Sequence, residues 1–148
     1  MSAVPFHYVD LRAFCYATED EKRVETALRT FLPEDTEIER ESNEGHHGDR
    51  ILVLSVRLER ADDIRYVLSR LAELGSFDRL MAELEDRIDD NCAFFIQLDK
   101  QDAYRGEVGL GDGLMLRGKV EAYPAKRERA IETAREALAA LEASADGA

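Results

Sequence analysis

Between residues 6 and 17 small apolar side chains alternate with large polar and aromatic ones. Val9, Leu11, Ala13, Cys15 and Ala17 fall on one face, and Phe6, Tyr8, Asp10, Arg12, Phe14 and Tyr16 on the other. A period of two is that of a β-strand, here one with two distinct sides. The period then lengthens. Val24, Ala27, Leu28, Phe31 and Leu32 predict a helix, opened by a capping box at 18–21 and closed by Pro33. A weak polar alternation at 37–42 predicts an edge strand. Residues 50–58 predict a strong one, with Leu52, Leu54, Val56 and Leu58 opposite Ile51, Val53, Ser55 and Arg57.

Two amphipathic helices are expected next. Ile64, Val67, Leu68 and Leu71 mark the first, with Gly75 as its stop. Ser76 caps the second, which turns Phe77, Leu80, Met81, Leu84 and Ile88 inward. Residues 92–98 read as a strand, Phe94, Ile96 and Leu98 lying opposite Phe95, Gln97 and Asp99. A strand at 104–110 is expected to pair with one at 114–123 across the glycine turn at 111–113. In the longer strand Leu114, Leu116, Val120 and Ala122 share one face, and Met115, Arg117, Lys119, Glu121 and Tyr123 the other. Pro124 opens a last helix, with Ile131, Ala134, Leu138 and Leu141 inward. The order is β-α-β-β-α-α-β-β-β-α, without strict βα alternation. It predicts an α+β fold: a single layered domain over 1–142, its antiparallel or mixed sheet carrying helices on one face, and a flexible tail at 143–148.

A chain of 148 residues buries roughly 68–70% of its unfolded surface, so neither a disulfide nor a metal is required to hold it. Cys15 and Cys92 lie far apart in strand-like segments and are expected as buried thiols. No Cys/His set has zinc spacing. No apolar run approaches a membrane span, and 1–5 lacks the pattern of a signal peptide, so a cytoplasmic location is expected. Charge changes the picture more. Acids number 32 against 20 bases, for a net charge of -12, and only four of the bases are lysines. An acidic, lysine-poor, arginine-retaining surface resembles that of proteins from extreme halophiles. At molar salt the Debye length is about 3 Å and screens its self-repulsion. The acidity then reports the solvent and leaves an anionic partner open.

With the aliphatic strand faces under helices, the opposite faces collect Tyr8, Arg12, Phe14, Tyr16, Arg57, Phe95, Gln97, Arg117, Lys119 and Tyr123. Rings interleaved with guanidinium groups can stack bases and contact phosphates. The same composition also suits a dimer interface. His46 and His47 sit between glycines in a connection between two strands. As neighbours they point apart in extended backbone, which reads as polar turn residues open to a phosphate rather than as metal ligands. Gly106, Gly109, Gly111 and Gly113 precede no helix and no Gly-Lys-Ser/Thr sequence, so they read as turn punctuation. The serines have no nucleophile-elbow context, and acid pairs carry no signal in so acidic a chain. Neither an enzyme nor a cofactor is expected.

The segments 9–21 (VDLRAFCYATEDE), 44–48 (EGHHG) and 98–101 (LDKQ), with the Tyr123–Pro124 entry to the last helix, resemble the archaeal RNA-binding domain family, also described as a predicted exosome subunit. The resemblance covers nearly the whole chain. It implies a fold similar to that of the ribosomal protein that holds 5S RNA, a homodimer, and non-catalytic RNA binding linked to the exosome. The candidate RNA contacts are Tyr8, Arg12, Phe14, His46, His47, Arg57, Arg117 and Lys119, with Lys100 and Arg105 adding phosphate contacts from a nearby connection. The alternative is a homodimeric assembly module that uses the same open face without RNA. The negative net charge opposes simple attraction, and phosphate contacts weaken steeply with salt, so stacking and shape are expected to carry more of the affinity.

Overall fold

The alternating segments join into one antiparallel sheet. The computed structural model describes residues 5–44 and 50–146, with side chains as far as Leu141. Its strands are β1 (Phe6–Tyr16), β2 (Glu39–Glu44), β3 (Arg50–Leu58), β4 (Ala93–Asp99) and β5 (Gly113–Val120), in the spatial order β2-β3-β1-β5-β4. Helices α1 (Glu21–Arg29), α2 (Ala61–Leu71), α3 (Phe77–Ala82), α4 (Lys100–Tyr104) and α5 (Arg127–Asp146) complete the α+β fold. A 3-10 turn, Leu84–Arg87, follows α3.

Strand parity decides the layers. Val9, Leu11 and Ala13 of β1 pair with Leu58, Val56 and Leu54 of β3 on one side, and on the other with Gly118, Leu116 and Leu114 of β5. Ile96 and Leu98 of β4 extend the same face. Leu28 of α1, Val67 and Leu71 of α2, and Ala134 and Leu138 of α5 pack onto it in one buried cluster. Cys15 and Cys92 are free thiols within it, as expected.

Four local expectations are corrected. The segment 104–110 is not a strand. The Asp99 carboxylate accepts from the backbone N–H of Gln101 (2.8 Å) and Asp102 (3.1 Å), which starts α4 instead. Gly106, at φ 80°, then turns the chain, and only Leu110 returns to bridge Leu98. Phe6 is not on the open face. The register jumps from Phe6↔Val120 to Tyr8↔Lys119, so His7 is a bulge residue and the parity of β1 reverses there. Phe6 is therefore buried, packed 6.4 Å from Phe94 between ring centroids. The cap of α1 is Asp20 rather than Thr18, its side chain accepting from Lys22 N at 2.9 Å. The helix expected from 77 to 88 gives way to the 3-10 turn, because Ile88 is extended and bridges Phe94.

Candidate nucleic-acid interface

No helix among the described residues covers the other face of the sheet. The cross-strand register sets its side chains in rows. One row runs Arg57 on β3, Asp10 on β1, Arg117 on β5 and Phe95 on β4. The next runs Ser55, Arg12, Met115 and Gln97. Tyr8 and Lys119 stand opposite each other at one end, while Phe14 meets Val53 and Tyr16 meets Ile51 at the other. The face thus divides into a cationic, ring-bearing end and a more apolar end.

Asp10 is the hub of the cationic end. Its carboxylate accepts from Arg57 Nε at 2.7 Å and Nη2 at 2.9 Å. That hydrogen bonding, and then the carboxylate charge, push the guanidinium pKa above its ordinary value. The same guanidinium lies 4.0 Å above the Tyr8 ring centre, a cation–π contact. Arg117 leans 4.0 Å from Asp89, and the Lys119 ammonium donates to the carbonyl of Asn91. Arg12 is exposed and makes no ion pair among the described residues. Phe95 remains 38% exposed although it sits within a sheet.

The remaining candidates are placed elsewhere. Lys100 is nearly buried at the start of α4. Its ammonium donates to Phe14 O and to Glu19, both at 2.8 Å, and lies 5.4 Å from the Tyr16 ring centre. It ties the end of β1 to α4 and has little left to offer a phosphate. Arg105 is exposed at the C-terminal end of α4, away from the rows. His46 and His47 lie outside the described residues. Two arginines were missed by the sequence pattern. Arg79 and Arg87, from α3 and the following turn, line a groove with Phe95 and Gln97 at the β4 edge. Their i,i+4 spacing to Glu83 was the visible signal, but it reads as an ordinary surface ion pair. Among the described residues no cluster of three or more His, Cys, Asp or Glu could hold a metal, and no helix is long and apolar enough to cross a membrane.

A model of the family described as RNA binding matches residues 8–120, which is Tyr8 on β1 through Val120 at the end of β5. The chain belongs to that RNA-binding family. Its matched span takes in β2 to β5 whole and β1 from Tyr8 onward, and excludes α5. An archaeal relative, the RNA-binding protein PAB1135 of Pyrococcus abyssi, is 38% identical over 143 residues, covering 89% of this chain and 93% of its own. Another, an uncharacterised protein, MJ0213, of Methanocaldococcus jannaschii, is 30% identical over 115 residues, 71% of this chain and 76% of its own. Among solved structures, Mth689 from Methanothermobacter thermautotrophicus superposes with a TM-score of 0.78 at 44% identity, covering 90% of this chain and 98% of that one.

Proposed function

We propose that this member of the RNA-binding family holds RNA on the uncovered face of its sheet and performs no catalysis. The observation that carries the reading is the row Arg57, Asp10, Arg117 and Phe95, flanked by exposed Arg12 and by Tyr8, on the side that no described helix covers. Rings at strand spacing stack bases, and guanidinium groups beside them meet phosphates. A net charge of -12 repels RNA from most of the surface, which favours approach to the face where cations gather. The arginine-retaining acidity supports a haloarchaeal protein, and a cytoplasmic location is part of the same proposal. The family resemblance supports a homodimer and an accessory role in exosome-mediated RNA processing or decay.

The test is Arg117→Glu, read by fluorescence anisotropy with labelled single-stranded and hairpin RNA. The variant is expected to bind at least tenfold more weakly with an unchanged melting curve. Unchanged affinity in the folded variant rejects the assignment.

The apolar end of the face favours a second use. Phe14 with Val53, and Tyr16 with Ile51, form paired apolar neighbours open to solvent, of the kind that subunit interfaces cover. Light scattering on an eluting size-exclusion peak separates the readings. A stable dimer that retains no RNA supports an assembly module instead.

A further inference from the structure

The row that ends at Phe95 does not end at the sheet. Beyond β4 the face opens into a groove of about 340 Å³, lined by Arg79, Arg87, Phe95, Gln97, Leu110 and Gly111. We propose that this groove is a nucleotide subsite: Phe95 stacks a base, and Arg79, positioned by Glu83 and Arg87, holds the adjoining phosphodiester. The proposal rests on the RNA reading above and extends it past the β4 edge.

Charge is the first argument. Arg79 Nε and Arg87 Nη2 both donate to the one Glu83 carboxylate, each at 2.8 Å, so two cations share a single anion and the group keeps a net positive charge. Their hydrogen bonds hold the Glu83 carboxyl below its ordinary pKa, and it stays ionised. Arg79 is 66% exposed while Arg87 is 17% exposed. The less exposed arginine therefore anchors the carboxylate, and the exposed one is free to exchange a solvated ion pair for a phosphate at little loss. The Nε of Arg87 is buried without a hydrogen-bond partner among the described residues, a polar atom left over at the groove.

Geometry is the second argument. Phe95 sits directly opposite Arg117 on the sheet and lines the groove together with Arg79 and Arg87, so one exposed ring has a cation beside it on the sheet and two more in the groove. A stacked base with a phosphate on either side matches that alternation. From Arg57 to Phe95 is three strand spacings, about 14 Å, so one short single strand reaches from the centre of the face to the groove. The chain crosses the strands along the row instead of running parallel to them.

The experiment uses the full chain and a labelled 12-nucleotide single-stranded RNA, with anisotropy titrations over a series of salt concentrations. Arg79→Ala and Phe95→Ala are compared with Arg65→Ala, a control of equal charge change on α2. Each groove variant is expected to weaken binding on the order of tenfold. Arg79→Ala also flattens the log–log salt slope by about 0.7, as loss of one single-strand phosphate contact requires. Phe95→Ala leaves the slope alone, and Phe95→Tyr restores affinity by restoring the ring. Wild-type binding that is sensitive to Arg117→Glu, yet no more affected by the groove variants than by Arg65→Ala, overturns the subsite and leaves the sheet-face reading standing. Wild-type protein that binds no RNA overturns both.

Discussion

Asp10 and Arg57 stand directly opposite each other on β1 and β3, and the carboxylate accepts two hydrogen bonds from the guanidinium, at 2.7 and 2.9 Å. The pair fixes Arg57 over Tyr8 and also neutralises it. The open face therefore keeps one of its central cations restrained by the only acid in the middle of that row.

Releasing that restraint gives the first prediction. Asp10→Asn keeps the size and one acceptor but removes the charge. RNA affinity is expected to rise several-fold, and the salt dependence to steepen by about one contact's worth, a slope change near 0.7. Anisotropy across a salt series reads both quantities. A weaker complex would mean that Asp10 serves RNA by aiming Arg57, and that the charge it cancels matters less than the orientation it gives.

The bulge at His7 gives the second. A Cβ at Gly118 would come within 2.8 Å of Cδ1 and 2.9 Å of Cε1 of Phe6, so the glycine makes room for the ring that the bulge turns inward. Gly118→Ala is expected to destabilise by about 1–3 kcal/mol through overpacking. Adding Phe6→Leu should return part of that loss, because the two changes act on one space. Urea denaturation of the singles and the double checks this, and strict additivity would contradict it.

Lys100 separates structure from recognition. Its ammonium is shared between Glu19 and the carbonyl of Phe14, so Lys100→Gln should cost on the order of 1–3 kcal/mol and leave RNA affinity within about twofold. A large loss of RNA binding in a folded Lys100→Gln protein would return the residue to the interface.

The same contact carries a pH dependence. Burial alone would raise the Glu19 carboxyl. The hydrogen bonds from Lys100 and from the Tyr16 N–H, together with the Lys100 charge, outweigh it and leave the pKa below its ordinary 4.5. A carboxyl with a depressed folded pKa contributes stability that is present above the unfolded value and lost as pH falls through the folded one. The stability difference between wild type and Glu19→Gln should therefore be constant from pH 7 to about 5.5 and shrink below about 4.5. A difference that persists undiminished at pH 3 would show that the ionised carboxylate is not its source.

The two-sidedness of the strands was legible because alternation is a local property: Val9, Leu11, Ala13 and Cys15 declare the covered face of β1 without reference to any other strand. The RNA-binding family was legible in the motifs at 9–21 and 98–101. The bulge was not, since one extra residue reverses parity without any mark in composition, and Phe6 was assigned to the wrong side. Nor was the segment after Asp99, where apolar Tyr104, Val108 and Leu110 suggest a strand while a single capping carboxylate decides for a helix. The Asp10–Arg57 pair spans 47 residues and the Lys100–Phe14 contact 86, so both depend on strand register. Arg79 and Arg87 looked like solvated helix charges. Only the tertiary fold brings them, from α3 and the 3-10 turn after it, into one groove with Phe95.

Salt offers the last prediction, because the two modes of RNA contact respond to it differently. With a net charge of -12 the folded chain repels itself, and screening should raise the melting temperature between 0.1 and 2 M KCl. Over the same range phosphate contacts lose strength while base stacking is largely retained. The cost of Arg12→Ala to RNA affinity should therefore shrink as KCl rises, since the wild-type contact it removes is itself fading. The cost of Tyr8→Leu should stay nearly constant. Parallel anisotropy series for the two variants measure both trends. If the Tyr8→Leu penalty collapsed with salt as the Arg12→Ala penalty does, the ring would be acting through its hold on Arg57, 4.0 Å above it, instead of through a stacked base.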